Sequence, residues 1–213
     1  MVRPRFDAVL FDLLTALLDS RALWDKVAGS EADGRRWRAT YLRNTYGTGV
    51  YRPYETLVEE AAVESGLPPR LAGELAARYH ELQPWPEVGA VLARLKRAGL
   101  PLGVVTNCSQ CLAEIAAGCT GFEFDVLVSA ERAHFYKPDP HPYRMALAAL
   151  GDLDPARVLF VAGSPYDLFG TAAVGLPTFW HDRLGLPLPN GAPAPAERHP
   201  TLTPLIEVVF GTS

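Results

Sequence analysis

The sequence has few cysteines, no excess of basic residues and no apolar run long enough to cross a membrane. Its 20 Lys and Arg residues are outnumbered by 24 Asp and Glu residues, so it lacks the basic surface typical of nucleic-acid binding. No apolar run approaches the ~20 residues of a membrane-spanning helix, and the first residues lack the apolar stretch and cleavage site of a signal peptide. We therefore expect a soluble, cytoplasmic protein with neither nucleic acid nor membrane as a partner.

The cysteines, Cys108, Cys111 and Cys119, lie close together in the sequence. The spacing of Cys108 and Cys111 occurs in zinc-binding and redox pairs, but a closed structural zinc site needs a second ligand pair, and none is near. The five histidines also lack paired metal spacing. We therefore expect no bound metal, and reduced thiols as in a cytoplasmic protein.

Short apolar runs of strand length alternate with helical patterns along most of the chain. Runs that are almost wholly apolar favour a parallel sheet covered by helices on both faces. The sequence therefore predicts an α/β fold with a Rossmann-like core. The predicted strands are 6–11, 102–106, 124–129, 158–162 and 177–180.

Residues 19–85 break this alternation, because their apolar spacing predicts helices only. The predicted helices are 22–27, 31–46, 54–65 and 70–82. We interpret this block as a helical cap inserted into a core formed by residues 1–18 and 86–213. Its Trp and Tyr residues could support a homodimer. In the core, the proline-rich segment 186–200 is predicted to be an extended surface loop.

Polar side chains follow the predicted strands at the point where each strand ends. Asp12 follows the first strand, Thr106 and Asn107 close the second, Lys137 follows the third after a short loop, and Asp167 follows the fourth. Ligands of parallel sheets bind outside the carboxyl ends of the strands. An aspartate at this edge can act as a nucleophile if a lysine holds it ionised.

Each of these residues also has a purely structural interpretation. Asp12 could cap a loop, and Lys137 could be a surface lysine before a proline. Ser164 could be a helix N-cap, and Asp167 a first-turn acid favoured by the helix dipole. Arg38 could belong to the solvated basic face of its helix. We favour function for Asp12 because a carboxylate directly after an apolar run is costly unless it is used or paired.

Four stretches of the sequence carry a resemblance to a known family. They are A-V-L-F-D-L-L-T-A-L-L-D (8–19), G-V-V-T-N-C-S (103–109), F-Y-K-P-D-P-H-P-Y (135–143) and V-L-F-V-A-G-S-P-Y-D-L-F-G-T-A-A-V-G-L-P-T-F-W (158–180). In this order they resemble the motifs of the haloacid dehalogenase superfamily, and more narrowly those of its 2-haloacid dehalogenases.

The resemblance implies hydrolysis of a small-molecule substrate, a 2-haloalkanoic acid, in two displacements. Asp12 would attack the carbon that carries the halogen and form an ester, which water would then hydrolyse. Lys137 would pair with Asp12 and help to bind the substrate carboxylate. Asp167 would hold Lys137 and activate the water.

The remaining implied roles concern substrate and halide. Thr106 and nearby backbone N–H groups would anchor the carboxylate, while Asn107 and Arg38 would cradle the departing halide. Tyr143 and Tyr166 would wall the pocket. Further substrate contacts would come from Leu14 and Ser164.

Several positions depart from the family pattern. Leu14 and Gly163 stand where phosphatase members carry an acid for the leaving group and an acid that holds Mg²⁺, so the expected reaction uses neither metal nor cofactor. Thr15-Ala16 replaces the Gly-Thr of dehalogenases, and Ala162 replaces a Ser. These changes are expected to remove hydrogen-bond donors near the nucleophile and the hydrolytic water.

Two kinds of alternative therefore stay open, another hydrolase or a non-catalytic protein. The chain could be a phosphatase, which would require Mg²⁺, or a hydrolase of a C–N bond in another small carboxylate. It could also be a non-catalytic descendant that binds a ligand without turning it over.

Overall fold

The computed structural model describes residues 4–211. The ends of the predicted core, 1–3 and 212–213, lie outside the described residues. The described chain forms a six-stranded parallel sheet in the order β3-β2-β1-β4-β5-β6. The strands are β1 Ala8–Phe11, β2 Leu102–Thr106, β3 Val126–Ser129, β4 Val158–Ala162, β5 Thr178–His181 and β6 Glu197–His199.

The central strand β1 is buried on both faces. Val9 and Phe11 belong to one apolar cluster, and Ala8 and Leu10 belong to a second. This burial explains why the strand is an uninterrupted apolar run, as parallel strands covered on both sides require. The predicted α/β fold with a parallel sheet is therefore confirmed.

Pairing on both sides of β1 fixes the place of the residue that follows it. Phe11 is in register with Val104 of β2 and with Val161 of β4. Asp12, whose N–H donates to the Val161 carbonyl at 2.9 Å, therefore lies at the middle of the sheet's carboxyl edge.

Helices occupy the segments between the strands. Four of them, here called the cap helices, lie between β1 and β2: α1 Ser20–Ala28, α2 Glu31–Thr48, α3 Tyr54–Glu64 and α4 Arg70–Ala77. The others are α5 Val88–Arg97, α6 Gln110–Cys119, α7 Ala130–Ala133, α8 Pro140–Ala149, α9 Asp167–Val174 and α10 Leu205–Phe210, with 3₁₀ turns at Tyr79–Glu81 and Pro155–Arg157.

The cap helices begin at side-chain caps and pack through aromatic rings. Asp19 accepts from the N–H of Ala22, and Ser30 accepts from that of Asp33, so each cap satisfies a backbone donor at a helix start. The rings of Trp24 and Trp37 meet edge to face at 4.6 Å, which joins α1 to α2. Within residues 4–211, no helix combines the length and the apolar character needed to cross a bilayer.

The predicted loop 186–200 is wrong at one end, because Glu197–His199 forms the edge strand β6. Arg198 of this strand donates to Asp182 at 2.6 Å, and its guanidinium lies 4.2 Å above the ring of Trp180. The strand is polar and short, so no apolar run reveals it in the sequence. The predicted helix 70–82 also ends earlier, at Ala77, and continues as a 3₁₀ turn.

The close approach of α1 and α2 depends on Gly34. A Cβ at this position would lie 2.5 Å from the Cα of Asp25, so we expect Gly34→Ala to force the helices apart and to lower the free energy of unfolding by about 1–3 kcal/mol. Gly47 lies on the same helix with open space around it, so Gly47→Ala should be neutral or stabilising by up to about 1 kcal/mol. Urea unfolding of both variants measures the difference, and equal stabilities would contradict this packing.

Candidate active site

Asp12 is held by the loop that follows β1. Its Oδ2 accepts hydrogen bonds from the Thr15 N–H at 3.0 Å, the Thr15 hydroxyl at 2.5 Å and the Ala16 N–H at 3.2 Å. The expectation that Thr15-Ala16 costs the nucleophile a donor is therefore wrong, because the Thr15 hydroxyl supplies one.

Lys137 lies between two buried carboxylates. Its Nζ is 2.8 Å from Asp12 Oδ1 and 3.0 Å from Asp167 Oδ1, and all of these side chains are less than a tenth exposed. Asn107 fixes the backbone of the lysine, since its Nδ2 donates to the Lys137 carbonyl at 3.0 Å and its Oδ1 accepts from the Lys137 N–H at 2.7 Å. The ends of β1, β2 and β4 and the loop before α8 thus meet in one charged cluster.

The three charges shift one another's protonation. Burial acts to raise the pKa of Asp12, but the Lys137 ammonium and the Thr15 donors outweigh it and hold this pKa below its usual value. Burial and the nearby Asp12 charge raise the pKa of Asp167 despite Lys137. The pKa of Lys137 is raised, because the attraction of both carboxylates exceeds the effect of burial. Asp12 is thus kept ionised while Asp167 is the carboxylate that binds a proton more readily.

Asp167 reaches the site from the first turn of α9 and is held from behind by Tyr143. The Tyr143 hydroxyl donates to Asp167 Oδ1 at 2.8 Å, whereas Asp167 Oδ2 is buried with no hydrogen-bond partner among the described residues. Tyr143 is fully buried in the apolar core, so it supports Asp167 and does not wall the pocket as predicted. Its position on the inner face of α8 explains the difference.

A cavity of about 40 Å³ opens above Asp12, between the sheet edge and the cap helices. The predicted residues that line it are Asp12, Leu14, Arg38, Asn107, Lys137 and Ser164.

Arg38 differs from the other arginines of α2. Arg35, Arg36 and Arg43 form ion pairs with acidic side chains, whereas Arg38 is half-buried, lines the cavity and has no ion pair or hydrogen bond to any residue of 4–211. Its charge is therefore available to a ligand.

Two other predicted residues lie away from this cavity. Thr106 is buried, with its hydroxyl 3.8 Å from Cys108 Sγ. Tyr166 is 42% exposed and stacks at 4.3 Å on Tyr46; it lines an outer groove with Leu186 and Pro187. It therefore does not form a wall of the cavity above Asp12.

Several lining residues were not predicted, namely Thr15, Ser20, Trp24, Tyr41, Leu42, Tyr46 and Tyr54. The Tyr46 hydroxyl donates to Ser164 Oγ at 2.9 Å, and that of Tyr41 donates to the Asn107 carbonyl at 2.8 Å. Both bonds tie the cap helices to the sheet edge. The four-residue spacing of Arg38, Leu42 and Tyr46, which places them on one face of α2, could have revealed part of this set.

The residues at this edge do not fit a divalent cation. Within residues 4–211, no group of three or more His, Cys, Asp or Glu side chains is placed to hold a metal, and Lys137 lies between the two carboxylates. A Cβ on Gly163 would lie 2.3 Å from Thr15 Oγ1, so this position has no room for an acidic side chain.

Cys108 is buried, which raises the pKa of its thiol to about 12, while Cys111 is exposed.

Comparison with known proteins decides the family. The family model described as haloacid dehalogenase-like hydrolase matches residues 6–175. The chain belongs to this family.

Individual relatives show the same likeness. An (S)-2-haloacid dehalogenase of Pseudomonas putida is 30% identical over 195 residues, which cover 84% of this hydrolase and 87% of the relative. A solved L-2-haloacid dehalogenase is 28% identical, with a TM-score of 0.82, and the match covers 95% of this chain and 97% of that one. A phosphoserine phosphatase of Thermus thermophilus is 34% identical over 137 residues, or 61% of this chain and 54% of the relative. The resemblance stated from the sequence is confirmed.

The charge cluster of this haloacid dehalogenase-like hydrolase makes a stability prediction that is independent of substrate. Lys137→Met leaves two buried carboxylates without a cation, so we expect the free energy of unfolding at pH 7 to fall by about 3–5 kcal/mol. This loss of stability relative to the wild type should be smaller at pH 5. Without the lysine the pKa values of the two carboxylates rise, so at lower pH the folded state binds protons and is stabilised.

Lys96→Met is the matched control, since Lys96 pairs with Asp125 at the surface and should matter by less than about 1 kcal/mol. Urea unfolding at both pH values tests the contrast. A Lys137→Met variant as stable as Lys96→Met would contradict the buried cluster.

Proposed function

We propose that this hydrolase cleaves the carbon–halogen bond of a small 2-haloalkanoic acid through an ester on Asp12. The observation that carries the proposal is the buried Asp12–Lys137 pair, 2.8 Å apart, at the base of a cavity of about 40 Å³. The names of the similar dehalogenases support the same substrate class.

The two oxygens of Asp12 are suited to different tasks. Oδ2 accepts three hydrogen bonds from the loop, whereas Oδ1 accepts one, from Lys137, among the described residues. Oδ1 therefore retains a lone pair for attack. In the first displacement Oδ1 bonds to the carbon at position 2 of the substrate, the carbon–halogen bond breaks, and halide leaves with the bonding pair.

Hydrolysis of the ester uses the other oxygen. Water adds to the Asp12 carboxyl carbon, and the carbonyl electron pair moves to Oδ2, where the loop donors stabilise the negative charge as an oxyanion hole does. Collapse breaks the bond from the carboxyl carbon to Oδ1, which departs in the hydroxyl group of the product. One proton of the water passes to Asp167 and then to solvent, and the other protonates the product.

Asp167 suits the role of base, because its raised pKa brings it nearer to the working pH than an ordinary carboxylate. Its buried Oδ2 has no hydrogen-bond partner among the described residues, so we assign the proton to this oxygen. Lys137 keeps it beside Asp12 in both displacements.

We assign Arg38 and Asn107 to binding of the departing halide. Arg38 brings to the cavity a charge that is unpaired among residues 4–211, and Asn107 uses one of its two amide N–H groups on Lys137. The remaining N–H and the guanidinium provide donors for the departing halide. Backbone N–H groups near Thr106 and the Lys137 ammonium are left to the substrate carboxylate.

Halide release provides the direct test. We expect chloride from 2-chloropropionate without added metal, abolished by Asp12→Asn and retained by Asp33→Asn, which changes a surface carboxylate of α2 paired with Arg36. In ¹⁸O-water, peptides containing Asp12 should gain the label over multiple turnovers, because each hydrolysis places a water oxygen in this carboxylate.

Other outcomes would contradict the proposal. Mg²⁺-dependent release of phosphate from p-nitrophenyl phosphate, with no chloride release, would indicate a phosphatase. Label in the product and none in Asp12 would exclude the ester route. Silence in both assays would favour the ligand-binding alternative or a different leaving group.

The pH dependence of kcat gives a second prediction. The Tyr143 hydroxyl helps to lower the pKa of Asp167, so Tyr143→Phe should raise it further and move the acid limb of kcat upward by about 0.5–1 pH unit. Tyr136→Phe is the control, because its buried hydroxyl donates to the Arg52 carbonyl and not to a carboxylate. An acid limb that stays fixed in Tyr143→Phe would argue against Asp167 as the base.

Some expectations from the sequence stay proposals. These are the division into a core of 1–18 and 86–213 and a cap of 19–85, the homodimer, the absence of a nucleic-acid partner and the cytoplasmic location. The packing of Trp24 against Trp37 within the cap helices supports the first, and the acidic composition supports the third. Both tryptophans are buried inside the chain, so they give no support to the homodimer.

A further inference from the structure

One peptide group links Asp12 to a tryptophan outside the predicted motifs. The peptide between Thr15 and Ala16 donates its N–H to Asp12 Oδ2 at 3.2 Å and accepts, through the Thr15 carbonyl, a hydrogen bond from Trp85 Nε1 at 3.1 Å. A peptide is planar, so a donor at its oxygen fixes the direction of its N–H. Hydrogen bonds in such a chain also polarise one another.

Trp85 is well placed to hold this loop. It lies where the chain returns from the cap helices to the core, and its backbone N–H donates to the Leu17 carbonyl at 3.0 Å. Both its backbone and its side chain therefore donate hydrogen bonds to residues 15–17. The loop cannot shift without breaking these two bonds.

The indole ring of Trp85 is itself held in place by contacts with Arg183 and His181. The Arg183 guanidinium lies 4.6 Å above the ring and binds Glu87 through both carboxylate oxygens, at 2.6 and 2.7 Å. The ring of His181 meets the indole edge to face, and its Nδ1 lies 2.9 Å from the Ala16 carbonyl. This arrangement holds the indole N–H toward the Thr15 carbonyl.

We propose that Trp85 is a positioning residue for hydrolysis of the Asp12 ester, acting through the Thr15–Ala16 peptide. This inference rests on the proposed function. The indole N–H of Trp85 fixes the direction of the Ala16 N–H and polarises it. The Ala16 N–H in turn stabilises the negative charge on Asp12 Oδ2 when water adds to the ester.

The two displacements should respond differently to loss of this donor. During attack, negative charge leaves the Asp12 carboxylate, so donors on Oδ2 do not help the reaction forward. During hydrolysis, negative charge returns to Oδ2, so the same donors lower the barrier. Loss of the Trp85 N–H should therefore slow hydrolysis and leave ester formation unchanged.

Trp85→Phe tests this, because it removes the N–H and keeps an aromatic ring between Arg183 and His181. With 2-chloropropionate we expect kcat and KM to fall together by about 3- to 10-fold, since an indirect donor contributes less than a direct one. The ratio kcat/KM should stay within about twofold of the wild-type value, since it reports steps up to halide departure. Acid quench and intact mass should show a larger steady-state fraction of the Asp12 ester.

A shape-matched replacement and a spectroscopic measurement separate positioning from packing. β-(3-Benzothienyl)alanine at position 85 replaces the N–H with sulfur and should reproduce the effect of Trp85→Phe. In the protein without substrate, the Ala16 amide proton should shift upfield in both variants. Trp37→Phe is the matched control, because Trp37 donates its N–H to the Val58 carbonyl within the cap helices and should leave the ester fraction and the Ala16 signal unchanged.

Unchanged ester fraction and Ala16 shift in both position-85 variants would overturn the inference, as would an equal effect of Trp37→Phe. A fall in kcat/KM with no rise in ester would also overturn it, because ester formation would then be the impaired step. If the wild type itself forms no Asp12 ester, the proposed function is wrong. If the wild type forms the ester and the position-85 variants behave in the same way, only the role of Trp85 is wrong.

Discussion

The site depends on one ammonium group placed between two buried carboxylates. Burial alone would push the pKa of Asp12 upward, and a protonated Asp12 is a poor nucleophile; the Lys137 ammonium and the Thr15 donors reverse that shift. The same ammonium also pairs with Asp167, 3.0 Å away. It therefore offsets the repulsion between the two carboxylates, which would otherwise disfavour a second one at this site. Because Asn107 binds both the N–H and the carbonyl of Lys137, the end of β2 fixes the backbone of the lysine that pairs with Asp12 at the end of β1.

Much of this arrangement follows from the sequence, because apolar strands and the polar residues that end them are local signals. Asp12, Lys137 and Asp167 could be assigned to one sheet edge for that reason. Contacts made across long stretches of chain carry no such signal. Trp85 reaches the Thr15 carbonyl from 70 positions away, and Tyr46 reaches Ser164 across 118. The direction of a side chain is equally hidden: the resemblance places Tyr143 in the pocket wall, whereas its ring packs on Phe160 in the core and its hydroxyl donates to Asp167.

Two departures from the family pattern are physically coupled. Thr15 places its hydroxyl against Asp12 Oδ2, and the fourth-motif loop passes so close that a Cβ on Gly163 would lie 2.3 Å from that hydroxyl oxygen. A side chain at position 163 and the Thr15 hydroxyl thus compete for the same space. The Thr15 hydroxyl gives Asp12 an additional donor and leaves no room at position 163 for an acidic side chain that could bind a metal. The two departures therefore act together on how the charge of Asp12 is stabilised.

Charge balance then limits what the cavity can accept. Asp12 and Asp167 are matched by Lys137 and by Arg38, whose charge meets no ion-pair partner among residues 4–211 and faces the cavity. A monoanionic substrate enters this site without a large excess of negative charge, and its halide carries one negative charge away when it leaves. A phosphate ester brings more negative charge, and stabilising its transfer depends on added cations. With Lys137 already bonded to two carboxylates, the site has one free cation among the described residues, which suits a small monocarboxylate better than a phosphoryl group.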